Sequence, residues 1–293
     1  MTPYYSLARV GDELVGVLLY FIQVQSARPL LSFLSSRSII WGGPVTKVPD
    51  CDIVEGLLHY YKSSKPSTIY TQVRNLVDTS SYRDVFRKFD YTYEEHLTIL
   101  VDLTRSEDEL WKGVYPKRRN QIRRARKEGC TVGRQTTVAA LRACYSILEE
   151  VYSRAKLPLP ALSHFEALLR FADDRSGLRV FTVTWQDQII GCMLCLAYGD
   201  QLFDYYAGAY SAHYKKYPND LLPWEVFMWA RKHNFSLFDF GGAGKPGVPY
   251  GVRDYKKQFG GTLVSHGRYE KPHFPYLFRL FKKMFEFWQQ YSR

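Results

Sequence analysis

The chain has 293 residues, 46% of them hydrophobic and 24% charged, a balance that excludes disorder as the default state and, as a soft prior, suggests about two domains. With 40 Lys and Arg against 29 Asp and Glu, the net charge of +11 suits a polyanionic partner (nucleic acid, a phosphorylated substrate or an anionic membrane) without choosing among them. No apolar run reaches the roughly 18 residues of a spanning helix, and the five cysteines, of which only Cys192 and Cys195 are close and neither has a histidine partner, exclude a zinc motif and suit a reducing compartment.

The elements follow in chain order. Residues 10–20, VGDELVGVLLY, read as a strand, a tight polar turn and a second strand. IIWGGP at 39–44 reads as a strand ending at a Gly-Gly turn, followed by a helix near 50–63 and a strand near 67–73. HLTILVDL at 96–103 is a strand, and Ser106, followed by acids, predicts a helix start. Pro116 begins a second helix that ends at Gly129. Apolar spacing of three and four predicts helices at 137–155 and 163–173. Strands follow at 178–185, 189–198 and 201–209, then a helix at 221–234, a strand at 236–240, a short helix at 251–258 and a strand at 262–269. Residues 274–291 read as an aromatic amphipathic helix, with Phe274, Phe278, Phe281, Phe285 and Trp288 on one side and Arg279, Lys282 and Lys283 on the other. That helix either docks on the body of the protein or lies at a membrane interface.

Two segments of the first half recur in the second. VGDELVGVLLY aligns with WQDQIIGCMLC at 185–195, placing Asp12 on Asp187 and Gly16 on Gly191, and IIWGGP echoes FDFGGA at 238–243. The predicted fold is therefore α/β (or α+β) with a mixed sheet in each of two tandem modules. They divide near residue 95: an incomplete first module at 1–95, a complete second at 96–270, and the terminal helix at 271–293. The first repeats the plan of the second without its front helices.

The ordered motifs GDELVG (11–16), WGGP (41–44), KRRNQIRRA (117–125), DQIIG (187–191), YPNDLLPWE (217–225), FDFGG (238–242) and YKKQFGG (255–261) resemble those of the Fem-type peptidyl transferases. These enzymes carry two tandem modules of the GNAT acyltransferase superfamily. The resemblance spans roughly residues 5–270 and implies transfer of an acyl or aminoacyl group to an amine, by direct attack and without a covalent enzyme intermediate. It implies an acceptor that is an anionic cell-envelope precursor, such as a peptidoglycan or glycan amine. Acyl-CoA members of the superfamily carry a Gln/Arg-x-x-Gly-x-Gly/Ala loop around the pyrophosphate, whereas here HYKKYPND (213–220) follows the strand. The donor thus stays open among aminoacyl-tRNA, acyl-CoA and an acyl carrier protein, with no tightly bound cofactor expected. The location implied is cytoplasmic, with peripheral contact at the inner face of the membrane through the C-terminal helix as an option, since no secretory leader pattern is seen.

Aminolysis asks for a neutral amine, donors for the oxyanion and a proton for the leaving group. Lys256 matches the lysine of the Fem-type Phe-Lys-x-x-Phe-Gly motif, with Tyr255 in the phenylalanine position, and is the first candidate to stabilise negative charge. Asp239, at a strand end before Gly241-Gly242, either accepts a proton or caps the loop. Alternation along FDYYAGAY sends Tyr205 and Tyr206 to opposite faces, one lining the substrate groove or protonating the leaving group (Tyr206 is the catalytic candidate), the other in the core. Asn219 or Asp220 is a predicted N-cap, and the helix start beyond it, with Lys215 and Lys216, would suit a donor phosphate. Trp224, Glu225, Tyr255, Arg119 and Arg123 are candidates for substrate contact. The stretch 112–127 carries eight basic residues and no acid; helical spacing sets Arg119, Arg123, Arg126 and Lys127 along one side, a stripe suited to RNA or other phosphates. A rival reading is therefore a non-catalytic polyanion-binding module on the same fold.

Overall fold

In the computed structural model a β-hairpin opens the chain, β1 (Pro3–Val10) turning through Gly11 and Asp12 into β2 (Glu13–Gln23). The structure describes residues 3–24, 29–64 and 68–280. After the hairpin come α1 (Pro29–Leu34), β3 (Arg37–Gly42), β4 (Val45–Thr46), α2 (Cys51–Ser63), β5 (Tyr70–Asn75), α3 (Arg83–Lys88) and β6 (Thr92–Glu94). A second series runs β7 (Leu97–Asp102), α4 (Glu107–Gly113), α5 (Pro116–Lys127), β8 (Thr131–Gln135), α6 (Val138–Arg154), α7 (Leu162–Arg170), β9 (Ser176–Trp185), β10 (Gln188–Tyr198) and β11 (Gln201–Ala209). It continues through a 3-10 turn at Ser211–Lys216 into α8 (Pro218–Lys232), β12 (Leu237–Asp239), α9 (Gly251–Lys257) and β13 (Thr262–Ser265); β14 (Arg268–Pro272) follows.

Two units result, one of residues 1–96 with 265–293 and one of residues 97–264. The first holds a mixed sheet in the order β1-β2-β3-β5-β14-β6, with β4 beside β2; the second holds β13-β7-β12-β11-β10-β9-β8. The helix starts follow from the sequence. Asp50 accepts from the amides of Asp52 and Ile53 to cap α2, and Ser106 and Glu109 form a reciprocal capping box on α4. In the first unit Leu18, Tyr20, Ile40 and Val73 of the sheet pack on Val54 and Leu57 of α2 and Phe86 of α3. The second sheet is covered on both faces, by α4, α5 and α8 on one and by α6 and α7 on the other. Cys195 faces the first of these layers and Cys192 the second, as strand alternation requires.

The hairpin echo holds residue by residue. In the first unit Arg9 pairs with Leu14 and Ala8 with Gly16, so Val15 is an extra, bulged residue. In the second, Thr184 pairs with Ile189 and Val183 with Gly191, so Ile190 is the bulge. Each bulge precedes a glycine that lies under the start of a helix. A Cβ on Gly16 would stand 2.7 Å from Ile53 Cγ2 in α2, and one on Gly191 would stand 3.0 Å from Pro218 Cβ in α8. The repeated Gly is thus a packing requirement between the hairpin and the next helix of each unit.

The second echo does not hold. β3, which carries IIWG, is antiparallel to the hairpin strand β2 and parallel to β5. Its counterpart in the second unit is β11, antiparallel to β10 and parallel to β12. FDF lies in β12, one strand further along, so the two Gly-Gly endings are not equivalent. The single strand expected over 262–269 is two strands in two sheets: β13 joins β7, whereas β14 joins β5 and β6, and Gly267 turns between them at φ +67°. Strands β6 and β8 and helix α3 were not anticipated, being short or polar. Helical structure runs over 275–280, with Phe278 against Tyr70 at a ring separation of 4.8 Å; the rest of the amphipathic helix, from Phe281 on, lies outside the described residues.

Candidate active site

The second sheet opens between β11 and β12. Their parallel pairing covers Gln201 with Leu237, Leu202 with Phe238 and Phe203 with Asp239, and ends there. The chain beyond β12 keeps to β7, with the Phe240 amide bonding Ile99 O at 3.0 Å and the Ala243 amide bonding Leu97 O at 2.7 Å. β11 instead keeps to β10 as far as Ala209 opposite Gly191. The strands therefore diverge from the Phe203–Asp239 pair, leaving a fork. Gly241 sits at its apex, where a Cβ would lie 3.0 Å from the Phe203 ring and 3.2 Å from Asp204 O.

Three charged side chains meet at this apex. Asp239 Oδ1 accepts from the Gly241 amide at 2.7 Å and from Thr98 Oγ1, which also bonds Gly241 O at 2.9 Å. This is the loop-capping arrangement, one of the two roles left open by the sequence. Lys256, on α9, donates to Phe240 O and, at 3.5 Å, to Gly242 O, and lies 3.9 Å from Asp204 Oδ2. The side chains of Lys256 and Asp204 are only 13% and 10% exposed. Burial pushes the Asp204 carboxyl up to about 6, against the pull of the Lys256 cation and with a further push from Asp239. Sequence reasoning passed over Asp204, although a lone acid inside the uncharged run of FDYYAGAY was the available signal.

Tyr205 and Tyr206 do not split between faces. The register of β11 against β10 shifts between Leu194–Tyr206 and Cys195–Asp204, which makes Tyr205 a bulged residue. Both rings consequently pack on the α6–α7 side, 4.6 Å apart and edge to face, with Phe165 5.1 Å and Tyr152 5.2 Å from Tyr206. Tyr205 Oη is 2.9 Å from His164 Nε2 on α7, and burial lowers the basicity of that imidazole. His164 was not singled out from sequence; no spacing rule links a helix to a strand so far along the chain.

The start of α8 differs from expectation. Neither Asn219 nor Asp220 is the N-cap: the helix begins at Pro218, Tyr217 precedes it in the left-handed region at φ +57°, and no side chain caps it. Pro218 has no amide proton, and the amides of Asp220 and Leu221 bond back to Tyr217 O. Asp220 is buried and paired with Arg118; burial raises its carboxyl despite that guanidinium. A buried acid and two returned amides make a poor phosphate cradle. Lys216 is also engaged, with Glu128 Oε2 at 2.6 Å and its ammonium 4.3 Å from the Trp185 ring centre, while Lys215 is exposed.

Tyr255 has a structural task. Pro223 lies inside α8 and cannot supply the amide that would bond Asn219 O, and the Tyr255 hydroxyl donates to that carbonyl instead. Burial raises the phenol far above its ordinary range, so it remains a donor. Tyr255→Phe is expected to cost about 1–2 kcal/mol of unfolding free energy, the penalty for a buried unpaired carbonyl. In Pro223→Ala, where a backbone amide is restored, the same substitution is expected to cost much less; a urea-unfolding double-mutant cycle measures the difference.

Trp224 is 1% exposed and packs on Trp111 at 4.6 Å, so it presents no face to a substrate. Glu225 is paired with Arg126 at 2.7 Å. On α5, Ile122 and Ala125 are buried as expected and Arg118 turns in to Asp220, while Arg126 of the basic stripe is exposed but paired with Glu225. Arg123 lies over Trp111 at 5.2 Å, and Arg119, Arg123 and Lys127 have no carboxylate partner among the described residues. Among the described residues no group of His, Cys, Asp and Glu could hold a metal ion, and no helix is long and apolar enough to cross a membrane.

Residues 116–257, most of the second unit and all of the fork except β7, match the family model described as an acetyltransferase (GNAT) domain. The second unit is a GNAT domain. In fold the chain is similar to FemX, with a TM-score of 0.72 at 15% identity over 95% of this chain and 90% of that one. It is similar to the C-terminal domain of a putative lysylphosphatidylglycerol synthetase from Agrobacterium fabrum, with a TM-score of 0.64 at 12% identity over 95% and 86% of the two chains. A tandem GNAT protein from the clavulanic acid biosynthesis pathway gives 0.56 at 10% identity over 92% and 83%. These likenesses are of fold, and at 92–95% of this chain they take in the first unit as well as the second. No curated protein matches the chain in sequence.

Proposed function

We propose that the protein is an N-acyltransferase or aminoacyltransferase that moves an acyl group from an activated donor to an amine, in the fork between β11 and β12. The observation that carries this is the end of strand pairing at Phe203 and Asp239, with the Lys256 ammonium fixed beside it. Two of the three N–H donors of Lys256 are directed to Phe240 O and Gly242 O. The third, in a site sheltered from water, would meet the oxygen of a carbonyl under attack, where charge develops. Asp204 balances the lysine in the free protein. The attacking nitrogen forms a bond to the carbonyl carbon, the bond to the donor's oxygen or sulfur breaks, and no residue is acylated on the way.

The poor phosphate cradle at the start of α8 supports aminoacyl-tRNA over acyl-CoA as donor. The unpaired cations of α5 support it as well. The ordered motifs that resemble the Fem-type transferases support an acceptor in the cell envelope, a peptidoglycan or glycan amine. The test is a panel of radiolabelled donors (charged tRNA, acetyl-CoA and an acyl carrier protein thioester) offered with a small primary amine such as glycinamide. Transfer from one of them supports the reading, and transfer from none removes it.

The cations of α5 that lack a carboxylate partner also favour a second reading, a binding module that holds RNA without turnover. Replacing Arg119, Arg123 and Lys127 together with glutamine should weaken tRNA binding and flatten the dependence of log K on log salt by about 2–3, since each lost phosphate contact removes about 0.7–0.9. Under the acyltransferase reading the same variant keeps its turnover at saturating donor. Full RNA affinity in a protein that transfers nothing would select the binding module.

A further inference from the structure

The pair of Tyr205 and His164 has no part in the scheme above, although Tyr205 belongs to the stretch of β11 that borders the fork. Tyr205 follows Asp204 directly, in the part of β11 that lies past its last partner in β12. It is the extra residue of a bulge, a device that re-aims side chains next to active sites. The bulge leaves Asp204 opposite Cys195, which belongs to the α8-side core, while Tyr205 joins the α6–α7 side. Asp204, with Lys256, therefore belongs to one face of the sheet at the fork and the His–Tyr pair to the other, so a carbonyl carbon held between the parted strands could offer its oxygen to one and its new nitrogen to the other. Of the carboxylates at the apex, Asp239 is tied to Gly241 and Thr98, and Asp204 faces Lys256.

We propose that His164 and Tyr205 act as a proton relay for the attacking amine. As nitrogen bonds to the carbonyl carbon, its proton passes to the Tyr205 oxygen while the Tyr205 hydroxyl proton passes to His164 Nε2, across the observed 2.9 Å. The bond from the carbonyl to the donor then breaks, and the leaving oxygen or sulfur takes a proton back through Tyr205 or from solvent. His164 is exposed on α7, so its imidazolium can also discharge to water. Tyr205 is the residue that touches the amine, and His164 acts through it. Although the residue is exposed, partial desolvation of its ring disfavours the imidazolium, which favours the neutral form that accepts a proton.

This inference rests on the acyl-transfer reading, and the test separates the two. With glycinamide and the donor that the wild type uses, His164→Ala and Tyr205→Phe should each lower kcat by about 10–100-fold, towards the low end of general-base effects. Added imidazole should restore part of the activity of His164→Ala and none of that of Tyr205→Phe. His164→Gln, which can still hold the Tyr205 hydroxyl but cannot take its proton, should stay as slow as His164→Ala. Unchanged melting temperatures confirm that the variants fold. Wild-type rates in His164→Gln, or no response of His164→Ala to imidazole, would overturn the relay while leaving acyl transfer standing. No transfer by the wild type from any donor would remove both.

Discussion

Lys256→Met is expected to lower the rate of acyl transfer by about 100- to 1,000-fold, the usual loss when one donor to a developing oxyanion is removed. Methionine keeps most of the length and packing of the lysine stem, so the loss reports the ammonium. The effect should fall on kcat and on kcat/KM alike, because the third N–H is needed only when charge appears on the carbonyl oxygen. Folding should survive. Without the cation, the buried Asp204 takes up a proton rather than remaining an unpaired charge. Steady-state kinetics with a melting curve on the same sample decide the matter, and a loss smaller than threefold in a folded variant would exclude Lys256 from the chemistry.

Asp204→Asn should act in opposite directions on stability and on activity. The carboxyl titrates near 6 in the fold against 3.8 in its ordinary environment, so the folded state binds its proton more tightly than the unfolded chain does. Stability linked to this group is present in full below about 4 and is lost as pH rises to about 6. The difference corresponds to roughly 3 kcal/mol at neutral pH, at 1.36 kcal/mol per pH unit. Asparagine cannot ionise and escapes that loss. Urea unfolding should find the two proteins of similar stability near pH 4 and the variant more stable, by up to that amount, at pH 7. Activity should fall, because Lys256 then lacks the carboxylate that helps hold it at the apex. A variant less stable than the wild type at pH 7 would mean that Asp204 and Lys256 form a net stabilising pair, and that the acid is kept for the fold.

Local chemistry made much of the fold legible. The capping box of Ser106 and Glu109 and the Pro116 start gave their helices because the interactions lie within a few residues. The hairpin echo was legible for a deeper reason: the two-residue turn, the bulge and the glycine under the next helix act together, so their spacing is constrained. The Gly-Gly echo misled because a strand end followed by glycines does not say which position a strand takes in its sheet. That position is set by distant partners, such as Leu97 and Ile99 for the chain after β12. The apex of the fork was half legible. Lys256 stood out through its motif, but Asp204 and His164 gain meaning only from neighbours 52 and 41 residues away, Lys256 and Tyr205. Tyr255 and Pro223 form another such pair. Each is unremarkable alone, and together they close one carbonyl.

Amide hydrogen exchange read residue by residue tests whether the donor sits where β11 and β12 diverge. Adding the donor that supports transfer, or an analogue of it that cannot react, should slow exchange at 204–209 and at 240–243. Exchange in β1 to β3 of the first unit should not change. Protection of another surface, with residues 204–209 exchanging as fast as in the free protein, would place the donor elsewhere and exclude the fork as its site.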